Sequence, residues 1–208
     1  MLSSITPLGE RAKQNRWGVT ATAYIVGSVL GGALLGLVLS PLAALAAGIS
    51  TTAALVASGI VLFAAAAADL AGLRPPSIHR QVDENWLTAY RGVVYGFGFG
   101  IQLGFGVVTI ITSWSMWATL AMIVLCAGGA GFEVPWPLPF APMLTGATFG
   151  SARGLVLLAA RGVTDNESLA SLHQRIASGA GRTARGVTWS MASLGLLATA
   201  TLVGGVMA

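Results

Sequence analysis

Between Arg16 and Asp69 the chain carries no charged side chain. No water-facing surface can be built from such a stretch, because a soluble fold must present charged groups on some side of every element. The run is also too long for one helix across a bilayer, which takes about 20 apolar residues. It divides at Ser40-Pro41, where proline removes a backbone donor and clashes with the preceding turn, so a kink or break is expected there. The rest of the chain agrees. Of 208 residues 55% are hydrophobic and 9% charged, against about 25% charged in a soluble domain. The reading is an integral membrane protein whose first partner is the lipid bilayer.

The basic residues lie mostly in the N-terminal tail and two loops, which is a headgroup pattern. Aromatic residues are not interleaved with a basic stripe, so no nucleic acid is expected as a partner. The single cysteine, Cys126, sits in an apolar run and excludes a two-cysteine redox pair within the chain. It reads as a small buried hydrophobe.

A second constraint is internal repetition. Ser77-Ile78-His79-Arg80-Gln81-Val82 precedes Arg91-Gly92-Val93, and Ser171-Leu172-His173-Gln174-Arg175-Ile176 precedes Arg185-Gly186-Val187. The histidines, 79 and 173, are the only two in the chain, and each lies twelve residues before its Arg-Gly-Val. An apolar span flanks each copy on both sides. The pattern gives a basic tail over 1–17, a first unit over 18–112 and a second over 113–208.

Six spans are expected, near 18–46, 50–72, 91–112, 115–132, 141–161 and 186–207. Amphipathic surface helices are expected after Ser77 and between 162 and 184. Gly96, Gly100 and Gly104, and again Gly146, Gly150 and Gly154, recur every four residues and make smooth faces for close helix contact. Val134-Pro135-Trp136-Pro137-Leu138-Pro139, with Pro142 beyond, forbids a regular helix. Such backbone at membrane depth must be buried in protein or line a wet cavity.

The offset between the histidines aligns the first span with the fourth, the second with the fifth and the third with the sixth, and Pro41 with Pro135. Three spans per unit is an odd number, so the second unit enters the bilayer inverted. The expected fold is therefore all-α and polytopic, with six transmembrane helices as two inverted three-helix repeats. A cytoplasmic N-terminus, in a plasma membrane, keeps Arg11, Lys13, Arg16, Arg74, Arg80 and Arg91 inside. It leaves Arg161, Arg175, Arg182 and Arg185 outside, unless the fourth segment is re-entrant.

This plan, two inverted three-helix units with a helix-breaking proline in the first helix of each, resembles the superfamily of small exporters and electron carriers. That superfamily includes CcdA, the transmembrane part of DsbD and the LysE-type exporters. The matching residues are Ser40-Pro41 and Pro135-Trp136-Pro137-Leu138-Pro139. Thiol-carrying members place a cysteine after each proline; here Leu42 and Trp136 stand there. The resemblance thus implies a scaffold and alternating access rather than thiol exchange.

Arg153 is the sharpest functional signal, because a charge at the bilayer centre costs about 2.5–3.5 kcal/mol on insertion scales. Its guanidinium suits an anion or a substrate carboxylate. The bland alternatives are a structural pair with Glu133 or Asp69, or a side chain that snorkels from a shifted span. Gln102 is a polar amide at membrane depth that needs a partner. Thr109, Thr112, Ser113 and Ser115 are as readily explained by bonds to their own preceding turns.

The histidines lack metal-ligand spacing, so no metal is expected. Gly96-x-Gly98-x-Gly100 follows no strand and precedes no Lys-Ser, so it is not a phosphate loop. No serine, histidine and acid arrangement suggests an enzyme, and no cofactor is implied. The expected function is a small transporter or exporter of an anionic or carboxylate-bearing solute, with its site at the repeat interface. The site residues are Arg153, Gln102, Ser40, Pro41, Glu133 and Pro135. The alternatives are a non-catalytic membrane subunit or assembly factor whose glycine faces bind partner helices, and a CcdA-like electron carrier.

Overall fold

In the computed structural model, residues 5–78, 85–128 and 139–206 are described, and all regular structure among them is helical. The helices are α1 (Pro7–Ala12), α2 (Trp17–Ala46), α3 (Thr51–Leu70), α4 (Trp86–Ala89), α5 (Gly92–Phe105), α6 (Ser115–Gly128), α7 (Phe140–Leu155) and α8 (Asn166–Val206). A 3-10 stretch, Val156–Ala160, extends α7. Three helices, Trp17–Ala46, Thr51–Leu70 and Phe140–Ala160, are long and apolar enough to cross a membrane. Gly92–Phe105 and Ser115–Leu125 are apolar but shorter. At most a third of each long apolar window is buried within the chain. Leu45 is 79% exposed and Val38 61%, an apolar surface that lipid covers at no cost and water does not.

The sequence expects a kink or break at Ser40-Pro41; the helix is not broken there, and α2 continues through Pro41 to Ala46. The physical reason lies next to it. Pro41 has no N–H to give the Leu37 carbonyl, and the Ser40 hydroxyl donates to that carbonyl instead, at 2.7 Å. A serine that fills the vacancy one residue before a proline lets a membrane helix carry it. The expected surface helix beginning at Ser77 also differs. The Ser77 hydroxyl accepts from the Ile111 N–H at 2.7 Å, and the helix found there is the short α4, with residues 79–84 outside the described set. At the other end, the expected loop helix and last span are one uninterrupted helix of 41 residues. The third span stops at Phe105, because Gly106 takes φ 75° and turns the chain. Of the elements that the repeat aligns, α5 has 14 residues against 41 in α8.

The chain divides into two units. The first comprises Met1–Leu35, His79–Ile110 and Gly146–Gly181. Its core is Ile5, Ala21, Tyr24, Tyr95, Phe99 and Leu157, with Trp17, Trp86 and Leu103 packed around it. The Trp86 ring stacks on Phe99 at 6.1 Å. The basic tail contains the short α1: Thr6 caps it by accepting from the Gly9 N–H at 3.0 Å, Pro7 occupies the first turn, and the Leu8 N–H donates to the Val163 carbonyl at 3.1 Å.

The second unit comprises Gly36–Ile78, Ile111–Thr145 and Arg182–Ala208. Here α3 packs on α6, and Ala65, Ala66, Ala118 and Met191 form the core. Ser50 caps α3 through the Ala53 N–H at 3.3 Å. Asp69, near the end of α3, receives the Ser113 hydroxyl at 2.7 Å and the Trp114 N–H at 2.9 Å. It thereby ties the start of α6 to α3. Trp114 and Trp117 donate their indole N–H groups to the Leu73 and Pro76 carbonyls.

Candidate functional site

The glycine faces of the sequence are spent on one helix. In the first unit α2 is gripped from two sides. A Cβ at Gly96 would sit 2.7 Å from the Thr20 carbonyl, and one at Gly100 or Gly104 would overlap the carbonyl of Tyr24 or Ser28. From α7, a Cβ at Gly150 would overlap the Ser28 carbonyl, and one at Gly154 would sit 2.9 Å from Ser28 Cβ. Gly27, Gly31 and Gly32 of α2 answer in kind, against backbone of α5 and α7. Only glycine admits such approach, and dispersion between touching backbones is what holds helices together in lipid.

That grip encloses a polar stripe. Thr20, Tyr24 and Ser28 lie four residues apart on α2 and so share one face; they are 1%, 8% and 0% exposed. Ser28 sits against Gly154, the residue after Arg153. The half-buried Arg153 guanidinium lies over the Phe149 ring, 5.4 Å from its centroid, and interacts electrostatically with the Tyr24 hydroxyl. The Ser28 hydroxyl is close enough to Tyr24 to interact with it. Yet it makes no hydrogen bond of good distance and angle, and it is the one buried orphan found among the described side chains. Native interiors rarely leave a buried hydroxyl without a partner. A forked cation, a phenol and an orphaned hydroxyl together suit the oxygens of a carboxylate or a similar oxyanion.

Of the residues the sequence nominates, Arg153 and Gln102 belong to this unit. Gln102 is partly exposed on α5, and its carbonyl accepts from the Gly106 N–H at 3.2 Å. Ser40 and Pro41 belong to the second unit, where the serine hydroxyl is committed to Leu37. Glu133, Pro135 and His79 lie outside the described residues, as does the Cys126 side chain. Asp69 serves a helix end. His173 is exposed on α8, and no group of three or more metal-ligating side chains occurs among the described residues.

The sequence reading misses Tyr24, Ser28 and Phe149, and also a second polar cluster at the other end of the stripe. Glu10 of α1 is fully buried. Its carboxylate accepts from the Thr20 hydroxyl at 2.8 Å and from the Tyr95 hydroxyl. Asn15 donates to the Tyr95 oxygen at 3.4 Å, and Lys13 Nζ lies 5.1 Å above the Tyr95 ring. One signal was available: Glu10 is the only acid before Asp69. The four-residue spacing of Thr20, Tyr24 and Ser28 was another.

No protein-family model, no curated protein and no solved structure matches the chain significantly.

Proposed function

We propose that this protein is a small multi-pass membrane transporter for an anionic or carboxylate-bearing solute. Arg153 holds the anionic group, with Tyr24 and Ser28 beside it. The observation that carries the reading is the fully buried Ser28 hydroxyl, which makes no hydrogen bond of good geometry and shares its face of α2 with Tyr24, the residue on which the half-buried Arg153 guanidinium acts. A purely structural packing site would fill or remove that hydroxyl, because its desolvation costs about 1–3 kcal/mol if nothing bonds it. Helix α2 comes from the first sequence repeat and α7 from the second, so the cluster is built from both. That agrees with the expected site at a repeat interface; the six-span inverted plan, the cytoplasmic N-terminus and the similarity to LysE-type exporters are kept as further parts of the proposal. The competing reading, a subunit whose glycine faces bind partner helices, loses its main support, since those faces are occupied by α2.

The test is flux in proteoliposomes for a panel of small organic and inorganic anions, comparing wild type with Arg153→Ala and Arg153→Lys. Each variant is checked for folding by its melting curve. Hydrogen bonds to charged groups contribute about 1.5–3 kcal/mol, so Arg153→Ala should lower flux at sub-saturating solute by roughly tenfold or more. Arg153→Lys should retain part of it. A folded Arg153→Ala variant with unchanged flux, or no anion flux together with co-purification of a fixed partner chain, overturns the proposal.

A further inference from the structure

We propose that the second unit carries a binding groove for one anionic phospholipid, its phosphate on Arg182 and Arg185 and an acyl chain laid between α8 and α3. All the residues concerned belong to that unit. Arg182, Arg185, Trp189, Ala192 and Leu196 follow one another at intervals of three or four, so they form one stripe along α8. Ala192 packs against the core of Ala65, Ala66 and Met191, while the other four are exposed. The stripe therefore follows the edge of the seam with α3. At its apolar end Gly195 and Leu196 meet Gly59, Ile60, Phe63 and Ala64 in a groove of about 280 Å³.

The two helices run antiparallel. Met191 packs at Ala65 and Ala66, and one turn further on a Cβ at Gly195 would lie 2.9 Å from the Gly59 carbonyl. Arg182 and Arg185 accordingly lie toward the Leu70 end of α3. That end has the marks of a headgroup level. Arg74 is exposed just beyond it, and Trp114 and Trp117 donate their indole N–H groups to the Leu73 and Pro76 carbonyls. Tryptophan favours this depth because its ring is apolar and its N–H is not. Trp189, 62% exposed, continues the belt on α8. The acid at this end of α3, Asp69, is committed to Ser113 and Trp114, and no acid follows Glu167 in the chain. The arginines therefore present a net positive field, and a guanidinium fork matches phosphate oxygens. Leu196 lies eleven positions beyond Arg185, about 16 Å along the helix, and the hydrocarbon of one leaflet is about 15 Å deep. A chain hanging from a phosphate at Arg185 thus reaches the groove within its own leaflet. No polar side chain lines the groove, and its volume falls below the roughly 300–1,000 Å³ of a small-molecule site. Both features suit a slender acyl chain better than a compact solute.

The test uses the full-length protein, delipidated in detergent micelles and titrated with phosphatidylglycerol or phosphatidylcholine of identical chains. Bound lipid is counted by native mass spectrometry, and the folding of each variant is checked by its melting curve. The expected result is a one-to-one complex that favours phosphatidylglycerol. A basic residue at an anionic lipid surface contributes about fivefold in affinity, so Arg182→Gln/Arg185→Gln together should weaken phosphatidylglycerol roughly 25-fold and abolish the preference. Ala64→Phe, which fills the groove from an exposed position, should weaken both lipids alike. Arg161→Gln, an exposed arginine of the first unit, should change neither. If the double variant fails to fold, the wild-type preference and the Ala64→Phe loss still decide the matter. Equal affinity for the two lipids, a preference that survives in the double variant, or unchanged binding in Ala64→Phe overturns the proposal. Displacement of the lipid by millimolar inorganic phosphate overturns it too, since the arginines would then be a site for a free anion.

Discussion

Replacing Gly96 with alanine tests whether backbone contact between α2 and α5 holds the first unit together. The added Cβ would lie 2.7 Å from the Thr20 carbonyl, whereas ordinary contact begins at 3.4 Å, so the helices must part by about 0.7 Å. The nearest obstacle is the Thr20 backbone carbonyl, which cannot swing away, with the Thr20 Cγ2 methyl next at 3.1 Å. A gap of 0.5–1 Å forfeits about a quarter to a half of each dispersion contact along the seam, and overpacking of this kind costs about 1–3 kcal/mol. Alanine also improves helix propensity over glycine by about 1 kcal/mol, which would mask part of the loss. Gly181→Ala supplies the control, because a Cβ on that exposed residue of α8 meets nothing within 4 Å. The difference between the two variants isolates the steric cost. Unfolding in mixed micelles, followed by tryptophan fluorescence, should place Gly96→Ala about 1–3 kcal/mol below Gly181→Ala. Equal stabilities would refute the claim that this seam has no room for a methyl group.

Two further expectations concern helix ends. Asp69→Ala removes the acceptor for both the Ser113 hydroxyl and the Trp114 N–H, and should cost about 1–2 kcal/mol in the same unfolding assay; Asp69→Asn should recover part of this through its remaining carbonyl oxygen. At the start of α8, Asp165 accepts from the Ser168 N–H at 2.8 Å, and that backbone bond, with the Ser168 hydroxyl, holds its carboxyl below the usual value of 3.8. The depressed value means the cap is fully present above the ordinary carboxylate range and is lost as pH falls through the folded-state value. Hydrogen exchange at the Ser168 amide should therefore lose protection in acid beyond the intrinsic pH trend, and Asp165→Asn should abolish that excess.

Much of the membrane character and helix packing was legible in the sequence because it depends on local pattern. Absence of charge from Trp17 to Ala68 marks the spans, and glycine every fourth residue marks the seams. What sequence spacing could not give was the partner of each seam. Gly96, Gly100 and Gly104 announce that a helix comes close, but only coordinates show that it is α2. Only then do Thr20, Tyr24 and Ser28 become an enclosed stripe rather than scattered hydroxyls. Pro41 depends on a neighbour for a related reason. Proline breaks a helix unless a neighbour supplies the missing donor, as the Ser40 hydroxyl does for the Leu37 carbonyl. Arg153 was visible as an anomaly of charge in an apolar run. Glu10 was not, because a carboxylate in a short basic tail looks solvated until Tyr95, 85 positions away, is seen to close over it.

Helix α8 has a consequence for how the protein meets its surroundings. Its first part carries His173, Arg175 and Arg182, all exposed. Charged side chains are costly in hydrocarbon, so in a bilayer this part of the helix belongs at the headgroups or in water. A trypsin cut at those arginines, from one side of a sealed vesicle and not the other, would show directly which compartment it occupies.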